Sequence, residues 1–354
     1  MAGLFDYEFQ LEKINQHNPP LQKLDAVIDW EMFRSLIEEA FSIEAKGAGG
    51  RPPFDRLMMF QIVILQRYYN LSDEQTEFQI KDRLSFQQFL GLQIGDKVPD
   101  EKTIWLFKEQ LKEKGLSKQL FEMFTSTLIT NGIIAKEGSI VDASFVNVPR
   151  NRNSREENDT IKQGNIPESF ENNPTKLSQK DCDARWVTKN KERHYGYKNH
   201  VNSDAKTKLI TKFTTSSASV HDSQKACELI DHTDKRLYAD SAYISQDIEN
   251  RIWLKGIKSF IHERAYRNKP LTFEQECKNT LKSKVRSRVE HIFGYMTNSM
   301  NNGLNLRAIG KKRIDSTIAL LNLTYNLFRY EQIVRIQNVK KCNNNFFCCI
   351  CSYI

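Results

Sequence analysis

The stretch Arg236-Leu-Tyr-Ala-Asp240-Ser-Ala-Tyr-Ile-Ser245 places one carboxylate, Asp240, at the end of a short apolar run. The β-prone residues before Asp240 predict a strand, and the small and polar residues after it predict a loop. A strand would fix the carboxylate and a loop would leave it open, which suits an active site at a sheet edge. An Asp in this position is more often a turn former or a helix cap, so the interpretation depends on other carboxylates converging on it.

Charge is unevenly distributed along the 354 residues, which carry a formal net charge of +8. Eight Lys or Arg stand against two acids from Arg185 to Lys212, and nine against one from Lys278 to Arg313. Both basic segments flank the opening stretch. An excess of this kind favours a polyanionic partner, although a basic surface can also serve solubility alone.

The seven cysteines are scattered and odd in number, which favours a reduced intracellular compartment over a disulfide framework. No run of 18 apolar residues occurs, and the first residues do not form a signal peptide. We therefore expect a soluble, cytoplasmic protein without a membrane partner.

The first part of the chain reads as helical. Residues 1–50 predict a helical lead-in with a hinge at 46–50, and residues 51–135 predict an all-α domain. The signals are an Asp55 cap before the apolar run Leu57–Leu65, capping boxes at Ser72/Gln75 and Ser85/Gln88, a helix over Asp100–Lys114 ended by Gly115, and a helix over Ser117–Thr130.

Short helices joined by tight turns are compatible with a helix-turn-helix DNA reader. The helix over Asp100–Lys114 is the candidate recognition helix, with Lys102 and Lys108 as candidate DNA contacts. That helix also carries acidic residues, so an ordinary helical bundle explains the pattern equally well.

After Gly138 the pattern changes to alternation, with Ile140, Asp142, Ser144 and Val146 on one face of a strand. Strands then alternate with helices, which predicts an α/β domain over residues 136–336 with a mixed sheet flanked by helices. Residues 151–182 are polar and predict a long exposed loop inside this domain, and residues 337–354 predict a disordered Cys-rich tail.

Two helices close this domain. The first is predicted over Asn279–Ser299, because Leu281, Val285, Val289, Ile292 and Met296 form one apolar stripe beside Glu290. The second is predicted over about Lys312–Ile336 and is expected to pack behind the sheet.

Asp142, Asp240 and Glu290 are acids that stand beside apolar secondary structure rather than in charged loops. Three convergent carboxylates cannot all stay ionised cheaply unless cations join them, and hard oxygen ligands suit one or two Mg²⁺ ions. Two such ions can support phosphodiester chemistry. The spacing leaves open a structural role for Glu290 as an exposed partner of Arg286.

Other candidates weigh less. His221-Asp222 lacks the further ligands of a metallohydrolase site, so a structural or DNA-proximal role is favoured. Trp186, Tyr195 and Tyr197 could stack on unpaired bases, but aromatic residues of this kind more often belong to a sheet core. Lys198 is the best candidate for a phosphate contact. A carboxylate-pair glycosidase would leave the basic segments unexplained.

Several motifs occur in one order across roughly residues 45–330. In the first half they are Gly50-Arg-Pro-Pro-Phe54, Tyr69-Asn-Leu-Ser72, Asp82-Arg-Leu-Ser-Phe86, Phe89-Leu-Gly91 and Pro99-Asp-Glu-Lys-Thr-Ile104. In the second half they are Ile140-Val-Asp-Ala-Ser144, Tyr195-Gly-Tyr-Lys-Asn-His200, His221-Asp222, Tyr238-Ala-Asp-Ser-Ala-Tyr243 and Arg286-Ser-Arg-Val-Glu-His-Ile-Phe-Gly294. In this order they resemble the IS-five-like group of insertion-sequence DDE transposases.

The resemblance implies an RNase H-like catalytic domain after an all-α N-terminal domain. It implies that Asp142, Asp240 and Glu290 hold two Mg²⁺ ions, for which Mn²⁺ can substitute, and that they cut element ends and join the 3′ ends to target DNA. The implied partner is double-stranded DNA, bound by a homodimer or higher oligomer in the cytoplasm of a prokaryote, at the nucleoid. The candidate DNA-binding residues are Lys198, His200, Arg286, Arg288, Lys102 and Lys108.

The chain departs from the family pattern at two positions. The last motif of the family has a Tyr three residues before the Arg and a Lys seven residues after the Glu, where this chain has Ser283 and Thr297. These changes motivate an alternative, a catalytically impaired remnant that acts only as a DNA-binding protein or repressor.

Overall fold

The computed structural model describes residues 6–41, 52–189, 191–231, 233–267 and 269–351; for residue 6 and residues 340–351 the backbone alone is described. The predicted hinge at 46–50 lies outside these residues. Two compact units are present, one formed by Met1–Leu116 with Leu323–Ile354 and one formed by Ser117–Asn322. The predicted boundary after residue 135 and the predicted end of the second domain at residue 336 both differ from this division, and these limits stay predictions.

The first unit is built from helices, as predicted. They are α1 (Asp6–Gln16), α2 (Pro20–Asp25), a 3-10 turn (Trp30–Phe33), α3 (Arg34–Phe41), α4 (Arg56–Tyr69), α5 (Asp73–Asp82), α6 (Leu84–Phe89) and α7 (Glu101–Glu113). Helix α4 is the central one, since Phe60, Ile62, Val63, Ile64 and Leu65 are fully buried.

Helix caps in this unit follow the sequence signals with one exception. Asp55 accepts a hydrogen bond from the Met58 amide, and Ser72 forms its capping box with Gln75. The capping box predicted at Ser85 is wrong. Arg83 adopts an extended conformation between α5 and α6, so α6 begins at Leu84 and Ser85 already lies inside it.

The second unit contains a six-stranded mixed sheet. The strands are β1 (Ser139–Asn147), β2 (Arg185–Lys189), β3 (Glu192–Asp204), β4 (Ile210–Ser217), β5 (Arg236–Ala239) and β6 (Lys258–Ile261). Their order is β2-β3-β1-β5-β6, and β4 also pairs with β3. The pairs β1–β5 and β5–β6 are parallel, whereas β1–β3, β2–β3 and β3–β4 are antiparallel. The mixed α/β architecture is that of the RNase H-like fold, which confirms the predicted fold class; β2 was not predicted.

The chain from residue 116 onward also contains helical elements. They are α8 (Leu116–Thr130), α9 (Arg155–Lys162), α10 (Glu168–Glu171), α11 (Pro174–Ser178), α12 (Ser223–Leu229), a 3-10 turn (Ser241–Tyr243), α13 (Gln246–Leu254), α14 (Phe273–Arg286), α15 (Arg288–Asn298) and α16 (Lys311–Cys351). No helix in the described part of the chain is long and apolar enough to span a bilayer. Helix α16 continues past the predicted end at Ile336, and residues 352–354 lie outside the described part.

The sheet has an apolar cluster on each face. One cluster joins Val141 and Ala239 to residues of α12 and α13. The other joins Val146 and Tyr197 to Ile314 and Ile318 of α16. The closing helix therefore packs behind the sheet, as predicted.

The polar segment 151–182 is not the plain loop that its composition predicts, because it contains α9, α10 and α11. Ser154 and Glu157 form a capping box that starts α9. Ile161 and Phe170 are buried. Capped helices and two buried apolar side chains therefore give this segment local structure, although its mean composition is polar.

The helix predicted over Asn279–Ser299 is interrupted at Ser287, which separates α14 from α15. Val289, Ile292 and Met296 of α15 are buried as predicted, but Leu281 of α14 is 63% exposed. The predicted stripe assumed one helix axis. The structure has two helices that meet at Ser287, and Leu281 of α14 does not continue the buried face of α15.

Asp181 ties the end of the polar segment to the sheet. This buried carboxylate accepts hydrogen bonds from the Tyr197 hydroxyl at 2.7 Å, the Ala184 amide at 3.0 Å and the Gly310 amide at 3.0 Å. One side chain thereby satisfies donors from β3 and from the segment before α16.

We expect Asp181→Ala to lower the free energy of unfolding by about 3 kcal/mol, because it leaves several buried donors unpaired. Urea denaturation measures this loss. Asp183→Ala, at an exposed position two residues away, is the control and is expected to change stability by less than about 0.5 kcal/mol. Equal stability of both variants would contradict the anchoring role.

Candidate active site

Parallel pairing of β1 with β5 brings two of the predicted carboxylates together. Val141 of β1 is the register partner of Ala239 of β5, so Asp142 and Asp240 are the next residues of the same parallel pair. Asp240 follows the last residue of its strand and is exposed, and its side chain accepts a hydrogen bond from the Ser241 amide. This is the edge at which sites form in sheets with parallel strands.

Glu290 is connected to Asp142 by the Arg286 side chain, which contacts both carboxylates. The Arg286 guanidinium lies 3.3 Å from Asp142 (Nη1 to Oδ2) and 2.9 Å from Glu290 (Nη2 to Oε1). Arg286 is the last residue of α14 and Glu290 lies in the first turn of α15. One guanidinium therefore connects the carboxylate of the central strand to that of the helix.

Negative charge accumulates around Asp142. Burial raises the pKa of Asp142 to about 6, and the nearby charges of Asp240 and Asp222 act in the same direction. The Ala143 amide and the Arg286 guanidinium oppose this rise in pKa. Asp142 thus lies in a site that favours additional positive charge.

Two residues at this edge were missed by the sequence analysis. His262 directly follows β6, and its amide donates to the Ala239 carbonyl. Burial and the Arg286 charge lower the pKa of His262. Tyr243 is buried, and burial beside Asp142 raises its pKa well above the ordinary value. A signal for His262 existed, because it directly follows the segment Ile257–Ile261, whose sequence predicts a short strand.

A second polar cluster lies on β3. Lys198 is buried and donates to Asp222 at 2.8 Å and to the Val220 carbonyl at 2.7 Å. His200 is fully buried, its Nε2 lies 2.7 Å from Ser216 Oγ, and burial lowers its pKa to about 4. The structure therefore places Lys198 in a buried ion pair and His200 inside the sheet.

The remaining candidate DNA contacts are dispersed. Arg288 donates to the Ala205 carbonyl at 2.6 Å. In the first unit Lys102 is exposed at the start of α7, whereas Lys108 pairs with Asp73 of α5 and burial lowers its pKa. Lys102 and Lys108 belong to a different compact unit from the carboxylates.

Comparisons with known proteins identify the family of the chain. A family model described as a transposase DDE domain matches residues 134–327, more than half of the chain, and a transposase domain model (DUF772) matches residues 9–110. The chain belongs to the DDE transposase family. A cryo-EM structure of a piggyBac transposase synaptic complex with hairpin DNA is similar, with a TM-score of 0.43 and 10% identity, covering 90% of this chain and 76% of that one. A likeness at this level does not by itself establish a common fold or function.

Membership in the family makes the protein a DNA transposase, an enzyme of the polynucleotidyl transferase and endonuclease class that binds DNA. The resemblance found in the sequence is thereby confirmed. In this transposase Asp142 lies in β1, and Asp240 and His262 directly follow β5 and β6, the parallel strands beside it.

The two positions at which the transposase departs from the family pattern have local partners. Ser283 Oγ lies 3.3 Å from His262 Nε2, next to the site. Thr297 is exposed and its hydroxyl donates to the Phe293 carbonyl of its own helix at 2.9 Å. Neither side chain carries the aromatic ring or the charge of the family residue.

The transposase exposes an aromatic and basic patch on the β2–β3 hairpin. Trp186 is 49% exposed, and the Arg150 guanidinium lies 5.4 Å from its ring centroid. Tyr195 and Tyr197 are buried and belong to the sheet core, which is the commoner use of aromatic residues. Trp186 alone of these three aromatic residues is available for stacking.

The donor set of the transposase fits a divalent cation by its chemistry. Carboxylate oxygens are the ligands that Mg²⁺ prefers, and Asp142 and Asp240 present them on adjacent strands. Among the described residues, no group of three acids, histidines or cysteines already stands in a metal-holding arrangement. Arg286 stands between Asp142 and Glu290 instead.

We expect Tyr243→Phe to raise the free energy of unfolding by about 1 kcal/mol. Within the described residues the Tyr243 hydroxyl is buried and has no hydrogen-bond partner, so removing it relieves a desolvation cost. Urea denaturation is the measurement, and Tyr266→Phe at an exposed position is the control that should change little. A loss of stability in Tyr243→Phe would contradict the absence of a partner.

Proposed function

We propose that the transposase cuts the ends of an insertion element and joins the freed 3′ ends to target DNA by phosphodiester hydrolysis and transesterification. The observation that carries this proposal is the pairing of β1 with β5, which sets Asp142 beside Asp240 at one sheet edge. Carboxylates so placed have the chemistry needed to hold cations at a phosphodiester.

Asp142, Asp240 and Glu290 would hold two divalent ions, Mg²⁺ or Mn²⁺. When bound, such ions activate a hydroxyl or water nucleophile and stabilise the leaving oxygen. The chain's own residues fix the place of the reaction. Strands β1 and β5 orient the two aspartates, and the Arg286 guanidinium holds Glu290 toward Asp142.

DNA would run over the exposed basic surface of the second unit. Lys189, Lys191 and Arg193 are exposed on the β2–β3 hairpin, close to Trp186. Lysine and arginine of this kind bind the phosphate backbone without reading sequence. Lys198 and His200 would contribute by shaping the sheet beneath the DNA, since both are buried in polar contacts.

The first unit would read the inverted repeats at the element ends. Lys102 is exposed on the candidate recognition helix α7, where Trp105 and Leu106 are also about half exposed. Lys108 would position α7 against α5 through Asp73. Two ends must be joined to one target, so we propose at least a homodimer on DNA, working at the nucleoid in the cytoplasm.

We expect Asp240→Asn to abolish strand cleavage while DNA binding stays within about twofold. The substitution removes a cation-holding charge without changing the size of the side chain. The assay uses a labelled fragment that carries the inverted repeat flanking the gene, with Mg²⁺ or Mn²⁺, and scores nicking on a denaturing gel and binding by mobility shift.

The matched control is Asp247→Asn, an exposed acid on the following helix α13, which should cleave like the wild type. A chelator should stop cleavage by the wild type. Retained cleavage by Asp240→Asn would contradict the assignment of Asp240 as a catalytic residue.

The competing function is a DNA-binding remnant without cleavage. Ser283 and Thr297 favour it, because neither supplies the ring or the charge that the family uses at those positions. In the same assay, a wild-type protein that shifts the labelled fragment but does not nick it with either metal would establish this alternative.

We expect Trp186→Ala to weaken binding to DNA with unpaired terminal bases by about tenfold, since stacking of one base on an aromatic ring contributes about 1–3 kcal/mol. Trp186→Phe keeps a ring and should retain most of the affinity. Fluorescence anisotropy with frayed and fully paired fragments is the measurement. Equal losses on both fragments would assign Trp186 a structural role.

A further inference from the structure

Arg286 contacts two of the carboxylates that are proposed to bind the divalent cations, so its position affects cation binding. Its Nη1 contacts Asp142 at 3.3 Å and its Nη2 contacts Glu290 at 2.9 Å. These are two of the three carboxylates to which the proposed function assigns the cations. A guanidinium and a divalent cation compete for the lone pairs and the negative charge of the same carboxylates.

The Arg286 guanidinium does not use all of its hydrogen-bond donors in these contacts. Among the described residues its Nε is buried and lacks a hydrogen-bond partner. The distance to Asp142 is longer than that of an ideal charge-assisted hydrogen bond. Glu290 is 61% exposed, so its pairing with Arg286 is open to water on one side. Arg286 thus binds both carboxylates with part of its donor capacity unused.

Other basic groups near the site are engaged elsewhere or carry little charge. Lys198 is bound to Asp222 and to a backbone carbonyl. Burial lowers the pKa of His262, which disfavours its cationic form. Lys282 donates to the Ile261 carbonyl. Among the described residues, Arg286 is therefore the cation in contact with both Asp142 and Glu290.

We propose that Arg286 is an exchangeable internal counter-ion, which holds Asp142 and Glu290 together before a divalent cation binds and leaves Asp142 when the cation arrives. This inference rests on the proposed function, because it takes the carboxylates as the cation ligands. It makes Arg286 a positioning residue that weakens cation binding in exchange for an ordered site without metal.

The competition sets the sign of the effect on cation affinity. If Arg286 only oriented ligands, removing it would weaken cation binding. Because it occupies Asp142, removing its charge should strengthen binding, since two cations at one carboxylate pair repel each other. The metal-free protein should lose stability instead, because the carboxylates then lack their counter-ion.

The experiment measures Mn²⁺ binding to the full chain without DNA, by titration calorimetry and by electron paramagnetic resonance of free Mn²⁺. We expect Arg286→Gln to bind Mn²⁺ about tenfold more tightly than the wild type. Its Tm without metal should fall by about 5 °C, and the rise in Tm on adding Mn²⁺ should be larger than in the wild type.

Two further variants keep the test decisive. Lys284→Gln removes the same charge from an exposed position on the same helix, so its Mn²⁺ affinity should stay within about twofold of the wild type. Arg286→Lys keeps the charge but cannot bridge two carboxylates in a fork, so its affinity should lie between those of the wild type and Arg286→Gln. If Arg286→Gln does not fold, Arg286→Lys is the variant whose Mn²⁺ affinity is compared with that of the wild type.

The outcomes separate the two proposals. Unchanged or weaker Mn²⁺ binding in both Arg286 variants would overturn the counter-ion inference and leave the proposed cleavage function standing. No Mn²⁺ binding to any of the proteins, the wild type included, would overturn the inference together with the metal site on which the proposed function depends. A similar gain in Lys284→Gln would overturn it in favour of a general charge effect.

Discussion

The parallel register between β1 and β5 determines where the charges of this molecule meet. With Val141 opposite Ala239, the next residue on each strand is an aspartate, and the two aspartates share one edge of the sheet. A shift by one residue would turn Asp142 toward the opposite face. The apolar clusters on the two faces prevent such a shift, because Val141 and Val146 pack into different clusters.

Carboxylates placed side by side repel each other unless positive charge lies nearby. Two basic side chains supply such charge at this site. Arg286 contacts Asp142 and Glu290, and Lys198 contacts Asp222, which itself raises the pKa of Asp142. The uncharged neighbours His262 and Tyr243 add little compensation. A site with this balance holds together as folded protein and still favours a further cation.

Local patterns in the sequence predicted the elements that carry the carboxylates. An apolar run ending at Asp240 and alternation through Asp142 were enough for β5 and β1, and the stripe from Val289 to Met296 was enough for α15. The break at Ser287 was missed because the apolar spacing continues through it. Strand β2 was missed because it lies at the sheet edge, where pairing with β3 decides its conformation rather than burial.

The contacts between distant residues could not be predicted in the same way. The sequence predicted Lys198 as a phosphate contact because it shows no acidic partner near Lys198 along the chain. The partner, Asp222, lies 24 residues away and comes close only through the fold after β4. His262 lies near Asp240 because β6, which it follows, pairs in parallel with β5. The predicted roles of Lys198, His200, Arg286 and Arg288 in DNA binding stay predictions, whereas the family and the fold class are confirmed.

The length of β3 has a mechanical consequence. Its 13 residues span about 43 Å at the usual rise of a strand. Residues Glu192–Tyr195 pair with β2 beyond the end of the β1 ladder, while the remainder pairs with β1 and β4. One continuous strand therefore connects the exposed hairpin to the buried Lys198 and His200. The same strand carries Val201, the register partner of Asp142, so a displacement of the hairpin would pass along the strand that pairs with the Asp142 strand.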